Sequence, residues 1–171
     1  MADRLTPEQR SERMSRVRQH GTSLELLVRK ELHRRGLRFR LGGCGLPGRP
    51  DLVFPGRKAV VFVHGCFWHG HRDPGCTRAK VPKSRTDFWQ EKFTRNAARD
   101  ARNASELAAL GWRVFTVWEC EVLGAPLETL RRVADWLQQS ASAAETRAAT
   151  ASRASSTGRR ATGPGGRRGS G

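Results

Sequence analysis

Apolar positions along the chain change period several times, and each change marks an element. Leu24, Leu27, Val28 and Leu32 recur at helical spacing over residues 23–35, and Gly36 supplies the stop. A Gly/Pro-rich loop, 42–50, follows. Asp51-Leu-Val-Phe54 and Ala59-Val-Val-Phe-Val63 then read as β-rich runs on either side of Pro55-Gly56, which predicts a hairpin with a buried second strand. Residues 64–83 keep no period. A long helix is expected over 86–110, closed by Gly111, then a third strand over 112–118, and a last helix opening at Pro126 and running to about Gln138. The order α-β-β-α-β-α predicts an α/β fold with a small mixed central sheet flanked by helices. No internal repeat interrupts it.

Beyond residue 140 the pattern stops, because Ile, Leu, Phe and Trp disappear in favour of Ala, Ser, Thr, Arg and Gly. A disordered basic tail over 141–171 is expected. With 171 residues in all, one folded domain over 22–140 is the simplest division. The chain carries 32 Lys and Arg against 16 Asp and Glu, a net charge of +16. The tail supplies +5 of this, so residues 1–140 are basic in their own right, and a polyanionic partner, nucleic acid first, follows. No apolar stretch of about 18 residues and no basic-headed signal peptide is present, so no membrane role and a cytoplasmic location are expected.

The chemistry gathers in a short stretch. Asp51 follows Pro50 at the start of an extended run, where a carboxylate projects at the mouth of a sheet and can hold a hard cation such as Mg²⁺; a turn aspartate capping a loop amide would look the same. His64-Gly-Cys-Phe-Trp-His-Gly-His71 places three histidines, a thiol and two large aromatics in eight residues. A histidine there can activate water or protonate a leaving oxygen, with the others binding metal or orienting it. In an extended segment Phe67 and Trp68 would point to opposite sides, leaving one free to wedge between base pairs. Cys66, His71, Cys76 and Cys120 supply the four ligands of a closed structural Zn²⁺ site that would tie the irregular stretch to the third strand; disulfides or unpaired buried thiols are the alternatives. Trp89, Phe93, Asn96 and Asp100 share one face of the long helix, so Asp100 looks inward, toward a histidine or toward Arg95 or Arg99. Glu25 completes a capping box with Thr22.

Taken together, these residues resemble the Vsr-type very-short-patch mismatch endonucleases over residues 10–122. The resemblance is carried by Leu46-Pro-Gly-Arg-Pro-Asp51, Gly65-Cys-Phe-Trp-His69, Val81-Pro82, Arg85-Thr86 with Phe88-Trp89, and Gly111-Trp-Arg-Val114 leading to Val117-Trp-Glu-Cys120. It implies a restriction-endonuclease-like core and Mg²⁺-dependent nicking of one strand beside the T of a T·G mismatch left by deamination of 5-methylcytosine. It further implies a monomer acting on duplex DNA near the bacterial nucleoid, with repair proteins following the nick. Asp51 and the Val63 carbonyl would hold Mg²⁺, His69 would be the general acid/base, Asp100 its orienting partner, and His64 and Glu25 further active-site groups. Phe67 and Trp68 would intercalate, helped by Met14 from a DNA-contacting arm over 1–21, with Trp89 beside them. The chain departs from the family pattern in a longer His71–Cys76 interval and in Val63, where some members carry Thr. Ordinary restriction-type nucleases follow the strand-opening Asp with an acidic-x-Lys triplet, which Val60-Val-Phe-Val-His64 lacks. A restriction-like or modification-dependent nuclease without mismatch preference, or a zinc-stabilised DNA-binding module that does not cut, are the competing readings.

Overall fold

The computed structural model describes residues 6, 9, 12 and 21–139; Met14, most of the expected arm and the expected tail lie outside them. The first helix, α1 (Ser23–Arg34), starts where Thr22 accepts the Glu25 N–H and the Glu25 side chain accepts from Thr22 in return. That reciprocal cap satisfies amides the first turn leaves open. Gly36, at φ 78°, ends the helix as its spacing predicts.

Three strands form the sheet: β1 (Leu52–Phe54), β2 (Ala59–His64) and β3 (Arg113–Trp118). β1 runs antiparallel to β2 and β3 runs parallel to it, in the order β1-β2-β3, so the sheet is mixed as expected. Between the last two strands the chain crosses over through α2 (Thr86–Ala109). After β3 it turns directly into a short helix, α3 (Glu119–Gly124), which the sequence pattern did not predict, and then into α4 over 126–139. No helix among the described residues is long and apolar enough to cross a membrane.

Alternation along the strands divides the molecule into two layers. One face of the sheet, with Leu52, Phe54, Ala59, Val61 and Val117, packs on Val28 and Leu32 of α1, Val122 of α3 and Leu130, Val133 and Leu137 of α4. The opposite face, with Val53 and Val60, packs on Leu107 near the end of α2. Leu107 is the only fully buried residue of that 24-residue helix. Towards its start α2 is held instead by rings, since Trp89 and Phe93 meet Phe67 at 5.0 and 5.4 Å between centroids. Between these anchors the helix presents Ala97, Ala101 and Ala104, whose small side chains leave a cleft against the sheet. The same alternation that buries Val60 brings Phe62 and His64 of β2, and Val114, Thr116 and Trp118 of β3, onto this cleft.

Candidate active site and metal centre

The cleft has a volume of about 920 Å³ and is bordered by Glu25, Asp51, Val63, His64, His69 and Asp100. These are the six residues read from the sequence as the catalytic and magnesium-binding group, and they come from four separate segments. Asp51 sits at the edge of the sheet, where its Oδ2 accepts the Val63 N–H at 2.7 Å. That bond aims the carboxylate along the strand ends. A carboxylate with a neighbouring backbone carbonyl is a hard-oxygen donor set, which suits a magnesium ion that keeps several of its waters.

His69 Nδ1 lies 2.6 Å from Asp100 Oδ2. A carboxylate only accepts, so the proton sits on Nδ1 and the Nε2 of His69 is the nitrogen left to move a proton. Asp100 keeps its second oxygen on Arg99, at 3.3 Å, so both partners expected from the helix face are engaged at once. Arg95 pairs elsewhere, with Glu91. His64 stacks face to face on His69, with centroids 3.6 Å apart and planes within 8°. Burial pushes the His64 imidazole down to about 3, with His69 adding to the effect, so the lower ring of the stack is neutral. Two cations in that stack would repel strongly. Glu25 is buried and committed: its oxygens accept from Gly21, Thr22 and Arg29, the capping arrangement that spacing indicated.

The stretch after β2 is not extended. Residues 66–70 fold back on themselves, with the His69 N–H donating to Gly65 and the His71 N–H to Cys66. Phe67 and Trp68 therefore do not diverge, as an extended backbone would require; their rings meet edge to face at 5.0 Å in one cluster with Trp89. The turn has a second effect. It brings His71 beside Cys66, at 3.6 Å from Sγ to Nδ1, and Cys120 Sγ lies 3.4 Å from the same nitrogen. With Cys76 these donors all fall within 4.8 Å of one another. A tetrahedral zinc ion with thiolate and imidazole ligands would set such donors about 3.5–3.8 Å apart, so the group fits it with small adjustment. All four cysteines are free of disulfides. Burial pushes the Cys66 thiol up to about 12, so this sulfur becomes a thiolate only when a cation takes the place of its proton.

Three residues to which the sequence reading gave no role complete the arrangement, Asn96 among them although its helix face was predicted. Trp118 stacks on His71 at 4.0 Å and meets His64 edge to face at 5.3 Å, so one indole joins the metal-ligand group to the histidine pair. Its signal was its place in the Val114, Thr116, Trp118 alternation, opposite His64 in the parallel register. Asn96 donates to the Trp68 carbonyl at 2.8 Å, and Glu119 accepts the Cys66 N–H at 3.2 Å. Both pin the turn from outside.

Residues 2–75 match the family model described as DNA mismatch endonuclease Vsr. The Type II nicking enzyme V.XorIIP of Xanthomonas oryzae pv. oryzae is 53% identical over 137 residues, covering 79% of this chain and 98% of that protein. The Type II nicking enzyme V.NmeAIP of Neisseria meningitidis serogroup A is 45% identical, covering 71% and 85% respectively. The DNA mismatch endonuclease Vsr of Escherichia coli is 41% identical over 141 residues, covering 80% of this chain and 88% of that protein.

Proposed function

The chain belongs to the Vsr family of DNA mismatch endonucleases and is a DNA-nicking hydrolase with that family's restriction-endonuclease-like core, and on that premise we propose that it cuts one strand beside the T of a T·G mismatch. Such mismatches arise by deamination of 5-methylcytosine, and the nick would open a short repair tract. The observation that carries the reading is the His69–Asp100 pair standing in the same cleft as Asp51. A base, its orienting carboxylate and a separate carboxylate for a cation are what phosphodiester hydrolysis by an activated water requires.

In the proposed reaction Asp51 and the Val63 carbonyl hold magnesium, which when bound stabilises charge on the phosphoryl oxygens. His69 Nε2 takes the proton from the attacking water, whose oxygen bonds to phosphorus as the P–O bond of the cut strand breaks and the leaving oxygen takes a proton from solvent, while Asp100 holds Nδ1–H and stabilises the imidazolium that forms. His64, neutral and stacked on His69, excludes water from that face of the ring and fixes its plane. Glu25, whose oxygens are already engaged, acts through a water at the cleft edge. Phe67 and Trp68, with Trp89 behind them, form the aromatic face that enters the base stack and separates a mispair more readily than a matched pair. Cys66, His71, Cys76 and Cys120 hold zinc and thereby the turn that carries those rings and His69.

Purified protein with Mg²⁺ is expected to nick one strand of a labelled T·G duplex and to leave the T·A duplex almost intact. Equal cutting of the two would mean a nuclease without mismatch preference, and double-strand cleavage of matched DNA would favour a restriction-like enzyme. Salt-dependent binding with no cutting under any divalent metal would leave a DNA-binding module. Asp100→Asn keeps the shape of the side chain but not its charge, and is expected to lower the single-turnover rate about 100-fold. A rate close to wild type would reduce Asp100 to a structural partner of Arg99.

A further inference from the structure

We infer that the guanidinium of Arg49 grips the phosphate at which the strand is cut, a role that rests on the nicking reaction proposed above. Four arginines border the cleft: Arg49, Arg72, Arg99 and Arg102. Arg99 is spent on Asp100 at 3.3 Å and Arg102 on Glu106 at 3.8 Å. Arg49 and Arg72 have no carboxylate partner among the described residues, and of the two only Arg49 lies on the Asp51 loop, two residues before that carboxylate.

The backbone at Arg49 is the second observation. Its φ is 51°, in the left-handed region that L side chains avoid. The next residue is Pro50, which restricts the preceding residue to extended conformations, so the position is disfavoured twice over. Glycine would sit there without strain, yet the chain carries its largest cation. Two close contacts hold the conformation in place. A Cβ on Gly43 would come within 2.6 Å of the Arg49 Cα, and a Cβ on Gly48 within 2.8 Å of Asn103 Nδ2 on α2. The Arg49 N–H also closes a turn onto the Leu46 carbonyl at 3.2 Å. The loop is thus seated flush on α2 on one side and tied to β2 through Asp51 on the other.

Such backbone strain clusters at ligand clamps and active sites, and of the four non-glycine residues that share it among the described residues, Cys44, Arg49, Lys58 and Arg85, only Arg49 borders the cleft. Here the strained residue borders a cleft that also holds the carboxylates of Asp51 and Asp100, and it carries a planar, permanently charged fork. A phosphodiester entering that cleft meets negative charge unless a cation offsets it. The guanidinium fork matches two phosphoryl oxygens and can follow the charge that builds on them as water attacks.

Arg49→Gly separates this role from a structural one, because glycine relaxes the strained φ. The variant is expected to melt at or above the wild-type Tm while its single-turnover nicking of the T·G duplex falls about 100-fold. The slope of log Kd against log salt is expected to shrink by about one, as for the loss of one phosphate contact. Arg49→Gln removes the charge without changing the backbone preference, and is expected to lose rate similarly. It carries the same reading should R49G fail to fold. Wild-type protein in the same assay tests the premise, since its failure to nick removes the reaction itself. Wild-type nicking with a folded R49G or R49Q within about threefold of it overturns the role of Arg49 alone. A lowered Tm in both variants with an unchanged salt slope would assign Arg49 to the fold and overturn it equally.

Discussion

Asp51→Asn is expected to lower the nicking rate by about 10³-fold or more while leaving the Kd for the T·G duplex unchanged or slightly tighter. The choice of asparagine follows from the geometry. Asp51 Oδ2 accepts the Val63 N–H at 2.7 Å, so alanine would leave a partly buried amide unpaired and cost about 1–3 kcal/mol of stability besides any effect on chemistry. The asparagine oxygen can still accept that bond. What it cannot supply is the charge that draws a hard cation, and about 4 kcal/mol of transition-state stabilisation lost with the cation corresponds to the expected rate. Binding should not suffer, since a carboxylate near a phosphate repels it. The measurements are single-turnover nicking at saturating protein, gel shift on the same duplex and thermal melting. An Asp51→Asn protein that nicks within about tenfold of wild type would take Asp51 out of the metal site.

The hairpin and both principal helices were legible in the sequence because their signals are local. Leu24, Val28 and Leu32 define a helix face by spacing alone, and the Ala59–Val63 run is too apolar and β-branched for an exposed segment. Even so, local pattern overstated the face of α1: Leu27 remains 38% exposed while Val28 and Leu32 are fully buried. The short helix α3 was hidden because Trp118-Glu-Cys-Glu121 offers no apolar period, and its start depends on the Glu121 side chain accepting the Trp118 N–H.

At the site, what escaped the sequence is what depends on register or on tight turns. Trp118 meets His64 only because β3 pairs in parallel with β2 after a 24-residue crossover helix, and no spacing encodes that register. Phe67 and Trp68 share one aromatic cluster because three backbone bonds fold residues 65–71 into turns, where an extended segment would have set the two rings on opposite sides. Cys76, set apart by its longer interval from His71, nevertheless brings its sulfur within 4.8 Å of the other three donors. An interval of five residues constrains a loop too weakly to predict where its end lies. The spacing on the helix turned Asp100 inward but left its partner open between a histidine and an arginine, and the roles of Asp51, His69 and Asp100 came from the family resemblance.

Cys66→Ser is expected to abolish zinc binding, to lower Tm by about 10 °C and to reduce nicking in proportion to the loss of loop order, even with magnesium in excess. Cys66 is fully buried and faces the other three donors, so a serine hydroxyl there is a weak ligand held in place of a thiolate. The metal is not the whole of the fold, since the two apolar layers on either side of the sheet are built from residues outside its ligand set. A change of about 3 kcal/mol in a domain of this size corresponds to the expected shift in Tm. Its effect on nicking comes through position. His69 lies between Cys66 and His71 in the turn, and His71 stacks on Trp118, so releasing the ligands frees the base from Asp100 and the aromatic cluster from its seat. Cys44→Ser provides the control: Cys44 is exposed and outside the group, and its replacement should alter neither zinc content, Tm nor rate. Zinc bound by C66S at the wild-type ratio would exclude the site. Loss of zinc with Tm and rate both preserved would show instead that Asn96 and Glu119, which hold the turn from outside through the Trp68 carbonyl and the Cys66 N–H, suffice to keep His69 on Asp100.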